Sequence, residues 1–116
     1  MKTSKAVETL VHMGEREFDA TQTWTLVTSS REKFWSWGVT KALYGDKYLA
    51  FYVTAQRFRG WVIVTLGYED LYQVTLMTSH GRTTYNKQGI FVGDLVDHID
   101  RIIEWTPKYL LPKQKP

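Results

Sequence analysis

The sequence of 116 residues contains no cysteine, which excludes disulfide bonds, zinc–thiolate sites and catalysis by a thiol. It also lacks any apolar run near the roughly 20 residues that a membrane span requires, and its first residues do not resemble a secretory signal. These absences predict a cytoplasmic protein with no membrane association. Hydrophobic residues make up 43% of the chain, which is typical of a folded globular protein rather than a disordered one.

Catalytic and phosphate-binding motifs are also missing, since there is no G-x-S-x-G elbow and no glycine-rich phosphate loop. Asp94 and His98 are four residues apart and would face the same way on a helix. A metal site needs further ligands, however, and no nearby cluster supplies them. We therefore expect no catalytic residue, no metal and no cofactor. A small enzyme whose site is assembled from scattered residues is the third of three functional hypotheses.

The middle of the chain alternates with the period of a β-strand, which predicts three consecutive antiparallel strands. They are Tyr48–Thr54, Gly60–Leu66 and Leu71–Met77. We expect an earlier strand at Lys33–Val39, with Trp35 and Trp37 on the same face because they are two residues apart. Arg82–Gln88 is polar and predicts a weaker strand at an edge of the sheet.

Helices are expected on both sides of these strands. Lys5–Met13 has an apolar face and predicts a short amphipathic helix. Asp19 and Gln22 form a capping-box pattern that favours a helix through Val27, although the many β-branched residues there favour a strand instead. The final helix, Gly93–Trp105, has the most regular helical spacing of apolar residues in the chain.

Together these elements predict an α+β fold. It is an antiparallel meander of four to five strands, with an N-terminal helix or helices and a C-terminal amphipathic helix packed on it. Residues 1–106 are expected to form one domain. The last residues, 107–116, are basic and contain proline, and they predict a mobile tail.

Three stretches carry a family resemblance: FWSWGVTKALYGDKYLAFYV, RGWVIVTLGYEDLYQVTLM and GIFVGDLVDHIDRIIEWT. The pattern is a strand pair, a turn with an acidic residue before a tyrosine-containing strand, and a closing amphipathic helix. In this pattern the chain resembles a loose group of small proteins from bacterial prophages and related mobile elements, over Lys33–Thr106. The resemblance implies the same fold. It carries no established activity.

A concentration of basic and aromatic residues suggests binding to nucleic acid. Phe58 lies between Arg57 and Arg59 in a predicted hairpin turn, where arginines can contact phosphates while a ring stacks on a base. The candidate binding surface is Lys33, Trp35, Trp37, Arg57, Phe58 and Arg59. Alternatively, Phe58 folds back onto the core and the arginines merely keep the turn soluble. Nucleic-acid binding is the second functional hypothesis.

The leading hypothesis is a non-enzymatic accessory protein that binds a protein partner or associates with itself. An aromatic-rich sheet with two apolar faces can leave one face open for a partner or for a second copy. The polar strand Arg82–Gln88 can instead pair edge to edge with another chain. If the N-terminal helix covers the second face, the protein is a closed monomer.

Overall fold

The computed structural model describes residues 16–67 and 69–104. The predicted helix Lys5–Met13 and the predicted tail, residues 107–116, lie outside this range. The described elements are α1 (Ala20–Val27), α2 (Arg31–Trp37), β1 (Lys41–Tyr44), β2 (Leu49–Thr54), β3 (Arg59–Leu66), β4 (Tyr72–Met77), β5 (Thr83–Ile90), a 3₁₀ turn (Val92–Asp94) and α3 (Leu95–Ile103). The fold is α+β, as predicted from the sequence.

The five strands form one antiparallel sheet in the order β1-β2-β3-β4-β5, each strand pairing with its neighbour in sequence. The bounds of the three predicted central strands each differ by one residue from those observed. Their alternation identifies them because consecutive side chains project to opposite faces of a sheet. β5 runs two residues past the predicted Gln88. It does so through Gly89, whose φ of +74° is a conformation that residues with side chains rarely adopt.

The helix α1 precedes the sheet in sequence, and the helix that its capping pattern predicts is confirmed. Asp19 has an extended backbone, and its carboxylate accepts a hydrogen bond from the backbone N–H of Gln22 at 3.1 Å. This bond satisfies one of the amide groups that a helix start leaves without a partner. The cap outweighs the strand preference of the threonines that follow it.

The predicted strand Lys33–Val39 is wrong, because this segment forms the helix α2. Gly38 ends α2 in the left-handed conformation at φ 63°. A Cβ there would come within 2.4 Å of the Thr54 hydroxyl, so the close approach to β2 requires glycine. Alternation of Trp35 and Trp37 suggested a strand, but the spacing of Phe34 and Trp37 also fits one helical face. The first strand therefore begins later, at Lys41.

The change from strand to helix separates the two tryptophans. Trp37 is completely buried, whereas Trp35 is 81% exposed. The Trp37 ring stacks on Phe51 of β2, with centroids 6.0 Å apart and an interplanar angle of 8°. Its indole N–H donates to the Asp100 carboxylate of α3 at 2.9 Å. Trp37 therefore joins α2 to both the sheet and the C-terminal helix.

The C-terminal helix packs on the same face of the sheet. Leu95, Ile99 and Ile103 are buried, in agreement with the predicted apolar stripe. They join a cluster that includes Phe51 and Trp37. The helix proper is shorter than predicted at its start, because residues Val92–Asp94 form a 3₁₀ turn.

The opposite face of the sheet carries a second, smaller cluster of Ala50, Trp61, Ile63 and Met77, all of them buried. Tyr52 packs edge to face against Trp61 at 5.4 Å. All three described helices contribute to the first cluster and none to the second. Each of the four side chains of the second cluster has less than a tenth of its surface exposed.

The two tryptophans of α2 provide a matched test of this packing. Replacing Trp37 by alanine should lower the free energy of unfolding by about 3–5 kcal/mol, because it opens a cavity and removes the bond to Asp100. Replacing Trp35 by alanine should change it by less than about 0.5 kcal/mol. Chemical denaturation of both variants measures the difference. Equal losses would contradict the helical assignment.

Candidate functional site

The six residues expected to form a binding surface occupy different environments. Trp37 lies in the core, so it cannot contact a ligand. Lys33 forms an ion pair with Asp97 of α3, with its Nζ 2.7 Å from the carboxylate. The hydrogen bond and charge of Asp97 raise the pKa of Lys33, and those of Lys33 lower the pKa of Asp97. Trp35 faces solvent on the outer side of α2.

The turn between β2 and β3 docks on the end of α3. The backbone N–H of Arg57 donates to the Ile103 carbonyl at 2.8 Å, and that of Gln56 donates to the Glu104 carboxylate at 2.6 Å. Phe58 is half-buried and packs against the main core cluster. Its ring does not project into solvent as a stacking platform. This agrees with the alternative in which Phe58 folds back onto the core. Arg59, the first residue of β3, remains exposed.

Large apolar side chains are exposed at four described positions. They are Trp35, Tyr44, Phe91 and Val92, the last three being 69%, 63% and 56% exposed. Phe91 and Val92 are adjacent in sequence and follow the end of β5. Isolated exposed apolar residues are ordinary, but a contiguous group is typical of a binding surface.

A cleft of about 370 Å³ lies beside this pair, between β5 and α3. Its lining includes Lys87 and Phe91 from the β5 side, and Asp94, Asp97, His98 and Arg101 from the start and outer face of α3. A second cleft, of about 500 Å³, borders Gly89 from the other side, between β5 and the β3–β4 turn. We call Phe91, Val92 and the cleft between β5 and α3 the corner surface.

Tyr85 and His98 form a hydrogen bond next to this cleft, with Oη and Nε2 2.9 Å apart. The two rings lie 6.0 Å apart, centroid to centroid. Burial lowers the pKa of His98 from its ordinary 6.5, and the Arg101 and Lys87 cations lower it further. Burial raises the pKa of Tyr85, against a smaller opposing effect of Arg101. At neutral pH, therefore, both side chains are uncharged.

Two carboxylates of α3 form contacts with other residues of the same molecule. Asp97 binds Lys33, and Asp100 accepts the indole N–H of Trp37. Asp97 still faces solvent at the cleft, as do Lys87, Arg101 and Asp94. The lining thus holds two cations, Lys87 and Arg101, and two carboxylates, Asp94 and Asp97. Lys33 offsets the charge of Asp97 from outside the lining, so around the cleft three cations stand against these two carboxylates.

The sequence did not identify the corner surface. Tyr85 and His98 are 13 residues apart, and only the pairing of β5 with β4 sets which side of β5 faces α3. One signal was present, the apolar run Ile90–Val92 at the end of a polar strand.

Other kinds of site find no support within the described residues. There, no group of three or more His, Asp or Glu side chains could hold a metal ion. None of the helices in this part of the chain is long and apolar enough to cross a membrane. Comparison with protein-family models, curated proteins and solved structures gave no match. The function must therefore be inferred from the residues themselves.

The cations beside His98 provide a test of the electrostatics of the cleft. Arg101→Gln should raise the pKa of His98, because a nearby positive charge disfavours protonation of the imidazole. Proton NMR titration of the His98 ring measures this shift. Arg59→Gln removes an exposed cation at the start of β3, away from α3, and serves as the control, with no shift expected. An unchanged titration in Arg101→Gln would contradict the proximity of the two side chains.

The lowered pKa of His98 also sets the sign of a pH effect on stability. The unfolded chain binds a proton at His98 more readily than the folded one. The stability associated with neutral His98 is therefore complete above about pH 6.5 and is lost as the pH falls through the lower, folded-state value.

Proposed function

We propose that the protein acts by binding another protein chain through the corner surface. The observation that supports this proposal is the adjacent exposure of Phe91 and Val92 beside a cleft lined by Lys87 and Arg101. Apolar contacts surrounded by polar and charged groups are typical of protein interfaces, and aromatic side chains often provide most of their binding energy. Neither of the two side chains is needed to fill the core.

The chemistry of the corner surface defines the partner segment that fits it. An apolar side chain of the partner would pack on Phe91 and Val92. An adjacent carboxylate would meet the positive charge of Lys87 and Arg101 in the cleft. The expected ligand is therefore an acidic segment with at least one large apolar residue. An accessory role of this kind agrees with the resemblance to proteins of mobile elements, which supplies no activity of its own.

Nucleic-acid binding receives less support from the geometry. The aromatic residues of the candidate binding surface do not lie together, because Trp37 is buried and Phe58 packs on the core. The exposed Trp35 projects from the outer side of α2, whereas Arg59 lies at the start of β3. Stacking on an aromatic ring with phosphate contacts alongside requires these groups on one surface.

Selection from a displayed library of random peptides tests the proposal directly. Wild-type protein should enrich sequences that combine acidic and large apolar residues. Phe91→Ser should weaken binding of the enriched peptides by roughly tenfold or more, because an interface aromatic residue is lost. Fluorescence polarisation with the labelled peptides measures the affinities.

Trp35→Ser is the matched control, because it removes an aromatic residue that is more exposed than Phe91. It should leave peptide affinity unchanged. Loss of binding in Trp35→Ser but not in Phe91→Ser would place the site on α2 and overturn the proposal. Steeply salt-dependent binding of single-stranded DNA, duplex DNA or RNA, without peptide enrichment, would favour the nucleic-acid alternative.

A further inference from the structure

A third surface cleft lies at the opposite edge of the sheet and is lined by acidic residues. It has a volume of about 370 Å³ and lies beside the exposed Tyr44 at the end of β1. Its lining residues that are charged at neutral pH are Glu17, Asp19 and Asp46, all of them acidic and exposed. We call Tyr44 and this cleft the acidic surface.

The topology places the acidic surface and the corner surface at the same end of the sheet. In a five-stranded meander the first and last strands run in the same direction, because each strand reverses the one before it. Tyr44 ends β1, and Phe91 directly follows β5. Both clefts also lie on the face that carries the helices. Tyr44 pairs with Leu49 of the main cluster, and Ile90, beside the corner cleft, belongs to that cluster.

We infer that the partner of the corner surface is the acidic surface of a second copy of this chain. This inference rests on the proposed function, to which it adds the identity of the partner. If a second copy is shifted sideways past the β5 edge of the first sheet, with its strands parallel to those of the first copy, its β1 lies beside β5 of the first copy. The two clefts then meet at the same level. Lys87 and Arg101 face Glu17 and Asp46, and Phe91 faces Tyr44.

The contact is head-to-tail, because it joins two different surfaces. Each molecule keeps an unused corner surface at one end and an unused acidic surface at the other, so association continues beyond a dimer unless a ring closes. A continuous backbone ladder between β5 and β1 is not required. Irregular pairing of β5 with β4 and the short length of β1 both disfavour such a ladder.

Substitutions that reverse the charge of one surface at a time test the corner surface and the acidic surface independently. Lys87→Glu with Arg101→Glu gives a variant whose corner surface is acidic. Glu17→Lys with Asp46→Lys gives a variant whose acidic surface is basic. Asp19 is left unchanged because it caps α1. Wild-type protein should gain mass with concentration up to about 100 μM, measured by light scattering after gel filtration. Each variant alone should associate at least about tenfold more weakly.

Mixing variants tests the head-to-tail geometry. The variant with the altered corner surface keeps a native acidic surface, and the other variant keeps a native corner surface. An equimolar mixture should therefore regain the association that each variant lacks, through the two native surfaces and also through the two altered ones, whose charges are again opposite. Monomers throughout the mixture would overturn the inference, as would a wild-type protein that remains strictly monomeric. Higher salt should weaken association of the wild type.

A control variant carries Arg59→Glu and Arg82→Glu, which change the net charge as much as the corner substitutions do. Both residues are exposed and lie at the other end of the sheet. This variant should associate like the wild type, and its loss of association would show a general charge effect instead. Peptide binding through Phe91 in a strictly monomeric protein would reject the second copy as partner and keep the proposed function.

Discussion

The position of Trp37 is the constraint on which the rest of the structure depends. Its ring lies flat on Phe51 of the central sheet, and its N–H donates to Asp100 of the C-terminal helix. A buried indole needs both a packing surface and a hydrogen-bond acceptor, and these come here from two different elements. The helix α3 is therefore held against the sheet next to β5. The contact of His98 with Tyr85 and the cleft beside them follow from that placement.

The central strands could be predicted because the residue pattern that identifies each strand lies within the strand itself. In β2 and β3, consecutive side chains alternate between two buried faces, so the apolar pattern within each segment identifies the strand. The segment around Trp37 was predicted wrongly because its spacing fits two periods. Trp35 and Trp37 satisfy the strand period, whereas Phe34 and Trp37 satisfy the helical one. Burial of Trp37 between the sheet and α3 is a long-range contact, and no local pattern contains it.

The candidate site was harder to predict than the fold, for a related reason. A motif-based search favours residues that are close in sequence, such as Arg57, Phe58 and Arg59. The backbone of that turn is held by Ile103 and Glu104, and the ring of Phe58 contributes to the core instead of the surface. The corner surface combines β5 with α3 and depends on which side of β5 faces the helix. That choice is made by the irregular pairing of β5 with β4.

The acidic residues of α3 illustrate how structure changes the meaning of a charge pattern. In sequence, the four carboxylates of this region suggest a negatively charged helix surface. In the structure, Asp97 compensates Lys33 and Asp100 accepts from Trp37. These carboxylates attach α2 to α3, and Lys33 offsets one of the two carboxylates, Asp94 and Asp97, that line the neighbouring cleft together with Lys87 and Arg101. The charge that a short acidic helix presents to a ligand is therefore less negative than its sequence suggests.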